Sequence, residues 1–530
     1  MVALLREPAR PAVIREHPLA PWFAVATVCF GAFMGQLDAS VVTVAFPALQ
    51  RQFGAGLASV QWVSLSYLLV LTALLVPAGR WSDRTGRKLM YLYGFLVFAA
   101  ASAACGLASS LGMLVALRVV QAAGAAMLQS NSVALVVTSV PDRTRRAALG
   151  VQAAAQAIGL ASGPVAGGLL VGAVGWRWVF FLNVPVGVIA MVAGVYLLPR
   201  TRGLAGRIHG AGDHGARHHS GGSHRARVHA VGHRPADSLA VGSADGAASA
   251  AARSGADLGG TGLLTLAVAA GMLAMSSLSG LGFPAWAIAV CAVGSVAAWV
   301  LLVRHERRCA APLLDLRAMA ASGVGPALGG ALAAYLVLFG PLVLFPQIIT
   351  AEGGSALYAG LRLTSLPAGF GLAAATADRV LPARWPNRYR CVAGGILAAG
   401  CAAALAVPVP HAISVVLLGL LGVGLGVYTP ANNAEIMAAV PARDAAAAGG
   451  MVNMTRGIGT ALGVMVVALG LHAAALLRWP DGGRTLSMAA LAVVALFGTW
   501  AALRSKPGGS RPTGLAGGSG APGIPGGEIS

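Results

Sequence analysis

Charge is what this sequence lacks. Of its 530 residues only 10% are charged and just 17 are acidic, against 57% hydrophobic residues and a mean hydropathy of +0.75. A water-soluble domain carries about 25% charged residues to cover its surface, so the length does not translate into the roughly three or four soluble domains it would otherwise suggest. The composition is that of a polytopic membrane protein. Cysteine is scarce as well. Cys29, Cys105, Cys291, Cys309, Cys391 and Cys401 are scattered with no C-x-x-C spacing, so neither a disulfide framework nor a zinc site is indicated. There is no G-x-x-x-x-G-K-[ST] loop to cradle a nucleotide phosphate, which excludes an ATP-driven device within this chain. A membrane-bound lipid or sugar transferase would need acidic or His residues clustered at one membrane face, or a sizeable extramembrane domain; neither is seen, so an enzyme is not expected. The opening stretch MVALLREPARPAVIREHPLA has no apolar core before residue 20 and does not read as a cleavable signal peptide.

What is present is a series of apolar runs separated by arginine. A membrane-crossing helix needs about 20 residues. The runs at 22–47, 59–79, 89–108, 111–138, 147–172, 178–198, 258–279, 284–303, 323–349, 356–377, 391–408, 411–437, 446–472 and 486–503 predict fourteen transmembrane helices. The formal charge of +20 does not form one basic face, which argues against nucleic acid as a partner. With the N-terminus inside, nearly every basic residue outside a span falls on the cytoplasmic side. The exceptions are Arg51, Arg177, Arg478 and Arg484; Arg118, Arg362 and Arg456 lie within spans. That alternation follows the positive-inside rule and places both termini in the cytoplasm. The 72 glycines fit close helix packing and a high-GC bacterial genome equally well.

The expected organisation is a cytoplasmic N-terminal tail (1–21), a six-helix bundle (22–198), a linker (199–257), two inserted helices (258–303), a cytoplasmic loop (304–322), a second six-helix bundle (323–503) and a disordered tail (504–530). The linker is low-complexity Gly, Ala, His and Arg, and holds most of the eleven histidines. A metal-binding loop is one reading of it; a disordered cytoplasmic linker is the default, because such tracts lack the fixed geometry of a site. The loop GRWSDRTGRK after the second span has a faint echo, ATADRVLPARWPNR, after the tenth, which suggests a repeat of six-helix units.

Five stretches carry more specific information. Gly79, Asp83, Arg84, Gly86, Arg87 and Lys88 form the loop between the second and third spans. There the glycines permit a tight reversal, and Asp83 can cap the following helix and pair with an arginine. Leu117-Arg118-Val-Val-Gln121-Ala122-Ala-Gly124 puts an arginine inside the fourth span. Gly159, Gly163, Pro164, Gly167 and Gly168 in the fifth place small residues at close-packing spacing around a helix-bending proline. Trp176-Arg-Trp-Val-Phe-Phe-Leu-Asn183-Val-Pro185-Val-Gly187 opens the sixth, and Asn453-Met-Thr-Arg456-Gly457-Ile-Gly459-Thr-Ala-Leu-Gly463 lies in the thirteenth.

The first span, FGAFMGQLDASVVTVAFPAL, contains Asp38, a residue that costs about 2.5–3.5 kcal/mol at a bilayer centre. Together these stretches resemble the major facilitator superfamily, and within it the fourteen-helix drug:proton antiporters, over nearly the whole chain apart from the tails and the linker. One position departs from the fourth-span motif of that family, with Ala122 where it has glycine. The resemblance implies a multi-pass protein of a bacterial cytoplasmic membrane that uses no cofactor or metal. It would act as a monomer and exchange protons for a small hydrophobic drug or antibiotic. It also implies that the Gly79–Lys88 loop latches helix ends and that the Gly159–Gly168 motif marks an antiporter.

Helix rise places Asp38 and Arg118 at comparable depth. In the resembled fold the first and fourth helices line the central cavity, so a pair between them, direct or through water, is expected there. Asp38, Arg118, Gln121, Gln152, Gln156 and Arg456 are the candidate residues for proton coupling and the substrate cavity. A pair that serves helix packing alone is the plainer alternative. Trp62 and Tyr67 could touch an aromatic substrate, though interface anchoring is the commoner use. Asn432, Asn433 and Glu435 are weaker candidates. Export of an endogenous metabolite or lipid precursor, and a membrane sensor, are the competing functions.

Overall fold

A computed structural model describes residues 7, 10–201, 257–309, 323–382, 384–440 and 445–505. The predicted linker and C-terminal tail fall almost wholly outside these residues. All secondary structure among the described residues is helical. The first group of long helices is α1 (Ala20–Phe53), α2 (Leu57–Val60 continued by Trp62–Thr85), α3 (Arg87–Gly106), α4 (Leu111–Ser139), α5 (Arg145–Ala173) and α6 (Arg177–Phe181 continued by Asn183–Leu197). A pair follows: α7 (Leu258–Ser276), which ends in the π-helical turn Ser277–Leu281, and α8 (Ala285–Arg308). The second group is α9 (Gly325–Ala351), α10 (Ala356–Leu363 continued by Ser365–Val380), α11 (Asn387–Leu405), α12 (His411–Ala439), α13 (Ala445–Leu476) and α14 (Gly482–Arg504).

Twelve of these helices are long and apolar enough to cross a membrane. The predicted spans at 356–377 and 391–408 are helical but fall short of that measure. The first is divided at Thr364 into pieces of 8 and 16 residues, and the second opens on Asn387, Arg388, Tyr389 and Arg390. At the other predicted spans the boundaries shift by a few residues. α1 runs through Pro47 to Phe53, where a boundary at the proline is expected, and stops at Gly54, whose φ of +60° ends the helix. Neighbouring helices satisfy the backbone that an internal proline frees in a membrane bundle. Side chains of Ser110, Asp257 and Ser355 accept backbone N–H groups at the starts of α4, α7 and α10.

Within each group the helices meet at glycine contacts. A Cβ at Gly94 of α3 would strike the Gly124 carbonyl of α4, and one at Gly394 of α11 would strike the Gly424 carbonyl of α12. Gly159 and Gly163 of α5 lie on the backbone of α1 around Phe33 and Ser40, and Gly459 and Gly463 of α13 lie on the α9 backbone at Leu332 and Leu336. The glycines of each pair stand at one constant separation along the chain, a far stronger repeat than the loop echo. The α7–α8 pair lies outside both groups: α8 is largely exposed, and α7 attaches to the start of α2 where Gln61 Nε2 donates to Ser276 Oγ at 2.9 Å.

Candidate functional site

Asp38 is completely buried, and its partner is direct: Arg118 Nη1 donates to Asp38 Oδ2 at 2.7 Å, with both side chains at or below 1% exposure. The other carboxylate oxygen accepts from Gln121 Nε2 at 3.0 Å and from Asn183 Nδ2 at 2.9 Å. Ser102 Oγ accepts from Gln121 at 2.6 Å and from Asn183 at 3.3 Å. Arg118 is held further by Gln121 Oε1 at 2.7 Å and by the Val63 carbonyl at 2.9 Å, and its guanidinium lies 4.1 Å from the centre of the Tyr67 ring. Five helices thus converge on one carboxylate: α1, α2, α3, α4 and α6. Every named partner of the carboxylate is a donor, so the cluster is built around two accepting oxygens, and desolvation is offset by charge-assisted hydrogen bonds.

This cluster does not line the central cavity. The cavity, about 220 Å³, lies between the two groups and is walled by Gln36, Gln129, Gln152, Gln156, Arg456 and Tyr67, among others. The six candidate residues therefore divide into a buried trio, Asp38, Arg118 and Gln121, and a cavity trio, Gln152, Gln156 and Arg456. The expectation that all six share the cavity is corrected by the rotation of α1: Gly35, Gln36 and Ala39 face the cavity, while Asp38 points into the first group. Arg118 touches only a void of about 10 Å³ beside Ser64 and Tyr67. Gln152 and Gln156 do share a face, as their spacing predicts, and Gln152 Nε2 donates to Ser132 Oγ. Arg456 lies 4.4 Å from the Tyr335 ring centre and bonds Asn453 Oδ1 at 3.4 Å.

Tyr67 is the wall between the two trios. It is 1% exposed, so interface anchoring does not describe it, and its hydroxyl has no hydrogen-bond partner. Asn183 and Ser102 were not singled out by the sequence. The signal for Asn183 was present, since an amide inside an apolar run raises the same question as Asp38. Asn432 turns out to hold helices together, donating to the Ala327 carbonyl at 2.8 Å.

The glycine motif of α5 reaches this cluster from behind. Gly159, Gly163 and Gly167 lie against Phe33, Ser40 and Val41 of α1, the turns on either side of Asp38. Pro164 and Gly168 face the second group instead, where Gly168 would strike Ala356 and Leu357, and Gly360 of α10 sits against Pro164. That contact closes the bundle at the arginine-poor end. The cavity lies on the other side of it, toward the starts of α5, which carries Arg145 and Arg146, and of α13.

The α2–α3 loop departs from expectation in two respects. Gly79 is not part of the reversal: it lies within α2, 3.7 Å at its would-be Cβ from Ser130 of α4. Asp83 lies in the last turn of α2 and not in the loop, and the N-cap position of α3 is Gly86 with a φ of +106°. The side chains of Asp83 and Arg84 lie outside the described residues. Lys88, fully buried, donates to the carbonyls of Val195 at 2.8 Å and Leu198 at 2.7 Å, and so fastens the end of α6 to the start of α3.

Among the described residues, Asp257, His305 and Cys309 bring one ligand atom each within 4.8 Å of one another, at the base of the α7–α8 pair. Asp257 Oδ1 accepts from the Gly260 N–H at 2.8 Å and lies 2.9 Å from His305 Nε2. Burial raises the Asp257 carboxyl, but the Gly260 N–H, His305 and the charge of Arg80 together hold it below the usual range. Asp257 serves there as the N-cap of α7.

Residues 28–464 match the family profile described as Major Facilitator Superfamily. The chain is 29% identical over 486 residues to the methylenomycin A resistance protein of Streptomyces coelicolor, covering 91% of each chain. It is 30% identical over 448 residues to the drug efflux pump JefA of Mycobacterium tuberculosis, covering 82% of this chain and 77% of that one. A shorter match, 40% identical over 182 residues, is to the tetracenomycin C resistance and export protein of Streptomyces glaucescens and covers 34% of each. The matches to several such curated relatives span only about a third of their length. Among solved structures, the fold resembles a bacterial homologue of the human lysosomal transporter Spinster in an inward-facing state, with TM-score 0.56 and 15% identity over 92% of this chain and 98% of that one.

Proposed function

The chain belongs to the major facilitator superfamily of membrane transporters, and from that premise we propose that it is a proton-coupled antiporter exporting a small hydrophobic drug or antibiotic by alternating access. Its full-length relatives are named for resistance and efflux. The observation that carries the coupling is the fully buried Asp38 carboxylate, bonded to Arg118, Gln121 and Asn183, all of which donate. A proton on Oδ1 must displace one of its two donors, and a proton on Oδ2 discharges the partner of Arg118. Either way protonation loosens the packing of the helices gathered there. Asn183 can answer it in place, because its Oδ1 has no partner and turning the amide over presents that oxygen to a carboxylic acid.

In this reading the arginine-rich end is cytoplasmic, both termini lie there, and the transporter works in the bacterial cytoplasmic membrane. All fourteen helices cross. α10 begins at the arginine-poor seal and ends at Arg379, and α11 returns to a point where the Ala406 carbonyl accepts from Thr485 Oγ1 of α14 at 2.8 Å. Residues 22–198 and 323–503 are the two rocking halves, with 258–303 inserted between them. The cavity then faces the cytoplasm, and Gln152, Gln156 and Arg456 meet the substrate there. The α2–α3 loop holds helix ends together through the cycle. Pro164 and Gly168 against Gly360 form the closed outer gate, so movement of α5 at that gate is transmitted to Asp38 through Gly159 and Gly163.

The test is transport into vesicles under an imposed pH gradient, using a panel of hydrophobic antibiotics and dyes. Asp38→Asn is expected to lose gradient-driven movement by at least tenfold while still binding substrate at fixed pH. Full gradient-driven transport by the variant would sink the coupling role.

A further inference from the structure

A second cavity, about 340 Å³, lies at the arginine-poor end of the second group, between α9, α10, α12 and α14. Its wall includes Glu352, Arg362, His411, Ser414 and Arg484. Arg362, inside α10, is only 7% exposed. One of its terminal nitrogens donates to Ser414 Oγ, its guanidinium lies 5.3 Å from the Tyr358 ring centre, and its Nε has no hydrogen-bond partner. Ser414 Oγ is itself engaged, donating to the His411 carbonyl at 2.8 Å. The acidic residue of the cavity wall, Glu352, pairs with Arg484 at 3.3 Å.

The contrast with Arg118 defines the problem. Arg118 has a carboxylate at 2.7 Å, whereas among the described residues no carboxylate lies within 4.0 Å of Arg362. A guanidinium held out of water without a counter-ion is costly, and this one faces a cavity large enough for more than water. The planar fork of an arginine matches the paired oxygens of a carboxylate or phosphate. With Arg484 and His411 at the same wall, the surroundings are cationic or neutral except for the paired Glu352.

We propose that this cavity is an anion-binding site, and that Arg362 receives a carboxylate or phosphate group as its counter-ion. The site is separate from the central cavity and does not depend on Asp38. Its placement at the outer face rests on the orientation proposed above. Two sources present this chemistry: a soluble organic acid, such as an acidic compound released at the outer face, and the headgroup of an anionic lipid.

The experiment is thermal unfolding of the full chain in uncharged maltoside micelles at constant ionic strength, titrated with benzoate, inorganic phosphate or phosphatidylglycerol. The wild type is expected to gain several degrees, saturably, with at least one probe. Arg362→Gln should weaken the apparent affinity at least tenfold. Ser414→Asp sets an internal carboxylate beside the guanidinium and should abolish the response in a protein that needs no added anion to fold. A response to benzoate or phosphate identifies a soluble acid as the ligand; a response to phosphatidylglycerol alone identifies the lipid. An unaltered response in Ser414→Asp, or none from the wild type in any arm, overturns the proposal. Because the readout is stability, either result is independent of whether transport is coupled to protons.

Discussion

Where α4 of the first group carries Arg118 and Gln121, the corresponding turns of α12 carry Leu418 and Leu421, both fully buried. Ser102 of α3 is answered by Ala402 of α11, and the turn of α1 holding Asp38 by Val337 and Leu338 of α9. The glycine contacts that join α3 to α4 and α1 to α5 recur between α11 and α12 and between α9 and α13. The two groups therefore share their packing device and differ in what fills it: an ionic cluster in one, aliphatic side chains in the other. Close packing is met by either filling, so a cluster that costs desolvation is not required by the architecture. That difference is the reason to assign Asp38 a function beyond holding helices.

Five substitutions would break or sharpen the contrast. The largest effect is expected from Arg118→Ala, which leaves a buried carboxylate without its cation and should cost about 3–5 kcal/mol. Arg456→Ala, at a cavity wall in the second group, should cost less than about 1 kcal/mol, as single surface-like changes do. Denaturant or thermal unfolding of the two variants side by side measures the gap, and equal losses would show that the ionic cluster has no special place in the first group. Next come Gly163→Leu and Gly459→Leu. Overpacking at either glycine should destabilise by about 1–3 kcal/mol, yet only Gly163→Leu, beside Asp38, should also uncouple transport from the pH gradient. Matching transport losses would mean that both contacts serve packing alone. Within the ionic cluster the smallest effect belongs to Asn183→Ala, which removes one donor to Asp38 at a cost of about 1 kcal/mol. Its mark should be a shifted pH profile of transport, and an unmoved profile would take Asn183 out of the coupling route.

The legible and illegible parts of this molecule separate cleanly at particular residues. Asp38 and Arg118 were readable because charge inside an apolar run is conspicuous, and equal depth follows from helix rise alone. Gln152 and Gln156 were readable as one face because their spacing is helical. Gln36 and Gln129 were equally polar and equally intramembrane, but nothing in their local pattern says which way the helix is turned. Gly79 and Gly86 looked alike in the loop motif; one is a packing contact and the other a positive-φ reversal, a difference set by where α2 stops. The repeat was visible only as a loop echo, because contacts between helices preserve small residues at a few positions and leave the rest free to vary.

By itself the sequence determined that the chain is a bundle of membrane-crossing helices. Lipid leaves an apolar run no other way to satisfy its backbone, and the arginine-bearing loops alternate along it. The sequence also determined that Asp38 must find a partner, since an isolated carboxylate is too costly in that medium. The tertiary structure alone decided who the partners are. Asn183 stands 145 positions from Asp38, and only the packing of α1 against α3, α4 and α6 brings them to 2.9 Å. It also decided that the cluster faces away from the cavity, because the rotation of a helix that is apolar nearly all round is set by its neighbours and not by its own periodicity.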